Sequence, residues 1–298
     1  MPAYPFKTTS LNHVMVLVLL VSFFLQTACT EQGKTPKSSS KSISSKTKSK
    51  AEEVEYDAPL FTLLPSSETG VTFGNFLQED IYSINNVLSY EYYYMGAGLA
   101  VGDINNDGLA DIFFCGNNEA NRLYLNKGNF KFEDITEKAG VGSKRFTSGA
   151  TMADVNNDGL LDIYVNNAGP YKDAESKANE LYINKGEGKF VESGAEYGVD
   201  NGDWSVQSAF FDYDKDGDLD LFISNHSTYF RIPLNKVFKD LENPETLYKM
   251  SSKLYRNDNG KFKDVTREAG LVNHSYGLGL VIADINDDGY PDIYQAND

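Results

Sequence analysis

Four stretches of this 298-residue chain place acidic or amide side chains at one spacing around a glycine. They are DINNDGLAD (Asp103–Asp111), DVNNDGLLD (Asp154–Asp162), DYDKDGDLD (Asp212–Asp220) and DINDDGYPD (Asp284–Asp292). Counting from the first Asp, positions one, three, five and nine hold 13 Asp and 3 Asn, and position six is always Gly. Carboxylates this close repel: at ~4 Å and an effective dielectric of ~20, one like-charge pair costs about 4 kcal/mol. Such a cluster persists when it is splayed into water or holds a cation. Alternation at one, three and five with Gly at six curls the backbone around a point, where the carbonyl of position seven adds another oxygen. Hard oxygen donors in this number suit Ca²⁺, which takes roughly 6–8 of them, better than Mg²⁺, which keeps its waters.

Two other readings compete. An EF-hand needs a carboxylate at position twelve and a helix on each side. Position twelve is Phe114, Val165, Ile223 and Gln295, and the flanks read as strands. Alternatively the copies are polar turns, with Asp and Asn chosen for turn geometry. Four repetitions of one order argue against that.

The elements around the loops are strand-like. GLAVG (Gly98–Gly102) leads into the first loop and IFFC (Ile112–Cys115) leads out. Later copies lead out through IYV (Ile163–Val165), LFIS (Leu221–Ser224) and IYQ (Ile293–Gln295). A second motif follows: NRLYLNKGNFKFEDIT (Asn121–Thr136), NELYINKGEGKFVE (Asn179–Glu192) and SKLYRNDNGKFKDVT (Ser252–Thr266). Each is an alternating run, a turn rich in Asn, Gly and Lys, and a second alternating run, which is the pattern of a β-hairpin. Four strands per repeat, with loops starting at 103, 154, 212 and 284, predict an all-β chain of antiparallel β-propeller blades. About three and a half blades are present, a partial propeller with no closing hairpin for the last, so the sequence reads as part of a longer protein, or else as a chain that pairs with a second copy to close a ring. EYYY (Glu91–Tyr94) reads as a first strand with alternating tyrosines in the core, the alternative being a carbohydrate platform. Insertions accumulate between the lead-out strand and the hairpin, which predicts that they crowd one face, often the binding face.

Composition fits this picture. The hydrophobic share of 41%, rich in Tyr and Phe, is ample for a core of strands. A net charge of -16 argues against nucleic acid as a partner, and four divalent ions would offset half of it. No CxxC or HExxH supports zinc.

The repeats resemble FG-GAP/VCBS repeats, the calcium-loop blades of integrin-α-like β-propellers, through lead-ins such as GLAVGD and lead-outs such as DIFF. EYYYMGAGLAVGDINNDGLADIFF (Glu91–Phe114) with LYLNKGNFKFEDITEKAGV (Leu123–Val141) is similar to large bacterial lipoproteins that carry an ASPIC/UnbV-type C-terminal domain, which is absent here. The resemblance implies four calcium sites. Their side-chain ligands would be Asp103, Asn105, Asp107 and Asp111; Asp154, Asn156, Asp158 and Asp162; Asp212, Asp214, Asp216 and Asp220; and Asp284, Asn286, Asp288 and Asp292. The carbonyls of Leu109, Leu160, Asp218 and Tyr290 would complete them.

The N-terminus reads as an export signal. Lys7 precedes the apolar run VMVLVLLVSFFL (Val14–Leu25), which is too short to span a bilayer comfortably. LQTAC resembles a bacterial lipobox with Cys29 as the lipidated residue, although Gln26 stands where an aliphatic residue is usual. The expected organisation is a lipoprotein-type signal over 1–28, a flexible Ser/Lys-rich tether over 29–56 and the repeat region over 57–298. Such a chain is expected at a bacterial outer membrane or cell surface through a lipid anchor, or else secreted or periplasmic. Cys115 is then the one free thiol.

No catalytic constellation stands out: GxSxG and GxxxxGK are absent, and His226 and His274 read as packing or surface residues. The leading expectation is a calcium-stabilised binding or adhesion module with an extracellular glycan or protein ligand. The alternative is a propeller lyase or hydrolase acting on polysaccharide. The insertion NHSTYFRIPLNKVFKDLENPETLYKM offers Tyr229, Phe230 and Arg231, types enriched at interfaces, and a helical stretch over Leu234–Leu241.

Overall fold

The computed structural model describes residues 61–227 and 232–298. Cys29, the signal and tether spans, and the Tyr229, Phe230 and Arg231 cluster lie outside the described residues. Phe61–Asp298 forms one compact unit.

The unit is all-β, in propeller-like blades. Strands β1 (Leu99–Gly102), β2 (Asp111–Phe114), β3 (Arg122–Asn126) and β4 (Phe132–Asp134) form the first four-stranded sheet in sequence order. The second is β5 (Thr147–Ala153), β6 (Asp162–Asn167), β7 (Glu180–Asn184) and β8 (Phe190–Glu192). The third is β9 (Ser205–Phe211), β10 (Asp220–Asn225), β11 (Lys253–Asn257) and β12 (Phe262–Asp264). Strands β13 (Gly277–Ala283) and β14 (Asp292–Asn297) form a two-stranded sheet. Every pairing is antiparallel, and each first strand meets its second with the acidic loop as the connection: Gly102 opposite Asp111, Ala153 opposite Asp162, Phe211 opposite Asp220, Ala283 opposite Asp292.

First strands lie beside first strands, β1 against β5, β5 against β9, β9 against β13. Glycine permits the approach: a Cβ on Gly98 would stand 2.7 Å from the Cα of Gly149. Between the sheets the cores are continuous. Phe113 and Leu123 pack with Ile163 and Tyr182; Tyr164 and Leu181 pack with Leu221 and Tyr255; Phe222 and Leu254 pack with Leu280 and Ile293. Strands β6 and β10, covered on both faces, are buried along their whole length. That is why DIYVNN and DLFISN bury both parities rather than alternating. The far face of β13–β14 has no covering sheet among the described residues, and Val281 and Tyr294 are 56% and 64% exposed there.

Three elements differ from the sequence reading. Glu91–Tyr94 is a turn, not a strand; Tyr90 and Tyr93 point into a cluster with Phe146 and Ala168 while Tyr94 is exposed. Three consecutive tyrosines favour a strand by propensity, but the first sheet already has four strands and Gly96 turns the chain at φ 83°. Second, one-turn helices follow two of the hairpins, at Thr136–Ala139 and Gly194–Tyr197, each ended by a left-handed glycine. Third, the expected helix Leu234–Leu241 is followed by a second, Pro244–Lys249, started by Pro at its first turn and by Asn243, whose side chain accepts from the Glu245 and Thr246 N–H groups.

Candidate functional site

Each acidic loop is wound the same way. In the first, Asp103 accepts from the N–H of Asp107 at 3.1 Å and of Gly108 at 2.7 Å, and Asp107 accepts from Leu109 N–H at 2.9 Å. The second and fourth loops repeat this through Asp154 with Asp158, Gly159 and Leu160, and through Asp284 with Asp288, Gly289 and Tyr290. The third does so through Asp212, Asp216, Gly217 and Asp218. Position six needs the left-handed region, at φ 85°, 85°, 98° and 85° for Gly108, Gly159, Gly217 and Gly289.

Position three separates the loops chemically. In three of them an amide fills it, and the Asn105, Asn156 and Asn286 Nδ2 atoms donate to Asp107, Asp158 and Asp288 at 2.9, 3.0 and 3.0 Å. The third loop has Asp214, which has no proton to give. Carboxylate oxygens of Asp212, Asp214 and Asp216 lie within 4.8 Å of one another. Three hard anionic oxygens gathered at one point, with no donor side chain between them, fit a divalent cation.

Position nine sits behind the loop. Asp111, Asp162 and Asp220 are buried. One oxygen of each accepts from the backbone N–H at position two, in Ile104, Val155 and Tyr213. The other accepts from a hairpin N–H, in Asn126, Asn184 and Asn257. Burial raises all three carboxyls against these hydrogen bonds, Asp162 and Asp220 to about 6. Asp292 keeps the first contact, from Ile285 at 2.9 Å. The structure therefore groups positions one, three and five at the loop mouth and, in the first three loops, sets position nine as a brace between loop and hairpin. In the fourth loop, the Tyr290 N–H and then Asn286 hold Asp288 below the usual carboxylate range.

Two features escaped the sequence reading. The loops touch in series: position four is left-handed in each, and in the first three its side chain reaches the next loop. Asn106 Nδ2 donates to the Gly159 carbonyl at 2.9 Å, Asn157 Nδ2 to Asp218 Oδ1 at 3.2 Å, and Lys215 Nζ lies 3.9 Å from the Tyr290 ring centroid. The hairpin Asn also links blades. Asn184 Nδ2 donates to the Ile104 and Leu161 carbonyls at 2.8 and 3.1 Å, and Asn257 Nδ2 to those of Val155 and Leu219 at 3.3 and 3.1 Å. The signal was available in the recurring Asn of LYLN, LYIN and LYRN.

At the opposite end of the blades, the starts of the second and third insertions, residues 169–172 and 226–227, meet the turn before β1. A cavity of about 260 Å³ is lined by Tyr90, Tyr92, Tyr171, Trp204 and His226. Tyr90 Oη lies 2.6 Å from His226 Nε2 in full burial. Burial pushes the Tyr90 hydroxyl up and the His226 imidazole down to about 4, so both are neutral at neutral pH. His226 is thus a packing residue, and His274 meets Ser227 Oγ at 2.8 Å. Cys115 is a buried free thiol with its ionisation pushed up by burial.

Comparison with known proteins agrees with the repeats. Residues 103–165 and 173–223 match the family described as FG-GAP-like repeat. Cartilage acidic protein 1 of Xenopus tropicalis is 39% identical over 101 residues, 32% of this chain and 16% of that protein. The Mus musculus and Homo sapiens proteins of that name are each 27% identical, over 67% and 66% of this chain and 28% and 27% of their own length. The chain thus spans under a third of the curated relatives it matches.

Proposed function

We propose that this chain, which carries FG-GAP-like repeats, is a calcium-stabilised binding module that works outside the cytoplasm. FG-GAP repeats form propeller-like binding modules, and the blades described above have that form. The observation that carries the calcium reading is the Asp212, Asp214 and Asp216 cluster, three carboxylates at one loop mouth. Positions one, three and five of the other loops would hold an ion in the same manner, with Asn supplying its amide oxygen. Bound there, calcium would neutralise the loops and tie each first strand to its second.

At ~2 mM Ca²⁺ and a Kd of ~0.1 mM, typical of extracellular modules, each site contributes about 1.8 kcal/mol. Four such sites would contribute about 7 kcal/mol, comparable with the stability of a whole domain. The role is structural, and the ligand, a glycan or a protein, is met elsewhere. The apolar segment Val14–Leu25 and Cys29 support export with a bacterial lipid anchor. The alignment of two thirds of the chain with proteins named for cartilage and acidity supports an extracellular setting.

Thermal unfolding in EDTA, in Mg²⁺ and across a Ca²⁺ titration tests the reading. A melting temperature that climbs with Ca²⁺ and stays nearly flat in Mg²⁺ is expected. A folded sample indifferent to Ca²⁺ would remove it.

A further inference from the structure

We propose that the aromatic cavity at the insertion end binds a single neutral pyranose ring, the terminal unit of a glycan. The inference deepens the binding-module reading and rests on it. Three segments far apart in sequence build the cavity: the turn before β1 with Tyr90 and Tyr92, the loop after β6 with Tyr171, and the approach to β9 with Trp204; His226 closes it from the end of β10. Tyr92, Tyr171 and Trp204 are only half-buried, so aromatic surface remains accessible in the concavity. At about 260 Å³ it falls just below the ~300–1,000 Å³ of sites for drug-sized ligands, which suits one ring.

Charge selects among ligands that favour aromatic walls. A quaternary ammonium prefers an aromatic cage. Here the Lys177 ammonium already lies 4.3 Å from the Trp204 ring centroid, and a second cation would meet its repulsion. An anion such as phosphate needs converging cations. Among the described residues the lining offers Lys172, offset by Glu91, and a neutral His226. Lys177 on the Trp204 ring already donates to the Asp173 carbonyl at 2.6 Å, and the chain carries a net charge of -16. A neutral polyhydroxylated ring avoids both conflicts. Its C–H faces pack on aromatic rings, and its hydroxyls meet polar groups of either sign.

The rigid walls support selectivity. Trp204 Nε1 donates to the Gly169 carbonyl at 3.0 Å, Tyr171 Oη to Asn118 at 3.1 Å, and Tyr90 is held by His226. The rings are therefore placed before a ligand arrives, which lowers the entropy lost on binding.

Trp204 is the only tryptophan in the chain, so its fluorescence reports the cavity directly. The intact chain in Ca²⁺ is titrated with D-glucose, D-galactose, D-mannose and N-acetyl-D-glucosamine, and separately with choline and inorganic phosphate. A saturable shift is expected with at least one sugar and with neither ion. Tyr92→Ala should weaken it by about tenfold, and Tyr92→Phe, which keeps the ring, should leave it within about twofold. Flat sugar titrations, or saturation by choline or phosphate instead, overturn the assignment, as does an unchanged affinity in Tyr92→Ala. Retention of the intact chain on polysaccharide- and collagen-coated surfaces separates the broader reading. Retention alongside flat sugar titrations removes the cavity and keeps the module, whereas loss of both removes the two together.

Discussion

The Asn184 side chain, at the end of the second sheet's third strand, donates to the Ile104 carbonyl in the first acidic loop at 2.8 Å, 80 residues away. Its own N–H donates to Asp162 and its Oδ1 accepts from Gly186 N–H. One buried amide thus joins two loops and a hairpin turn. Among the described residues, the side chain of Asn126, the matching residue of the first sheet, reaches Ala110 and Gly128 of its own blade.

Asn184→Ala strands the buried Ile104 carbonyl together with the half-buried Leu161 carbonyl and Gly186 N–H, and unsatisfied buried polar groups cost about 1–3 kcal/mol each before relaxation. We expect a loss of about 2–3 kcal/mol in urea unfolding, against about 1 kcal/mol for Asn126→Ala, whose donated bond is exposed and stays within one blade. Equal losses would show that the link between sheets contributes nothing of its own.

The third loop should hold its divalent ion most tightly, because it alone presents three carboxylates at positions one, three and five. Asp214→Asn recreates the amide pattern of the other loops. Isothermal titration with Ca²⁺ should show the tightest class of site weakening by about tenfold, the equivalent of removing one charge contact of about 1.4 kcal/mol. If the tightest class survives this change, the strongest site lies in another loop.

Lys215 holds a left-handed conformation, φ 61°, which Asn and Asp adopt in the other three loops. Lys215→Asn should melt within about 1 °C of the parent, since Asn tolerates that region and the losses are the Tyr290 contact and a weak pull on the exposed Asp288. Lys215→Val should lower the melting temperature by about 3 °C or more, because a β-branched residue there is strained. The pair separates backbone geometry from the cation–π contact.

Burial holds His226 neutral, with a pKa of about 4 against 6.5 in an unfolded chain. Below pH 6.5 the unfolded state takes up a proton that the folded state refuses, so stability is lost as pH falls from 6.5 toward 4. The full difference is about 3 kcal/mol. In EDTA, unfolding at pH 7 and pH 4.5 should show a drop from this residue that shrinks in His226→Gln. A parent and a variant with the same pH slope would mean that His226 takes its proton without unfolding.

Much of the fold was legible because its signals are local. Alternation in RLYLN and ELYIN, the turn residues after them and the repeating Asp spacing mark strands, hairpins and loops within a dozen residues of each other, and the sheets follow that order. The EYYY run misled for the same reason. Its propensity is local, whereas its fate was decided by Phe146 and Ala168, which take Tyr90 and Tyr93 into their cluster. The spacing equally showed where acidic and amide side chains would cluster, at positions one, three and five. The spacing alone cannot say that Asp162 turns both oxygens to backbone N–H groups, because one of those groups belongs to Asn184, 22 residues on.

By itself the sequence determined the repeat unit, the strand order within each sheet and the places where carboxylates concentrate, since each depends on side-chain period and backbone preference over a few residues. The tertiary structure decided which loops touch, which carboxylates are exposed enough to meet an ion, and that Tyr92, Tyr171, Trp204 and His226 share one cavity. Those relations join residues tens of positions apart. They arise only when sheets pack face against face, because packing, not chain proximity, sets the distance between side chains on different blades.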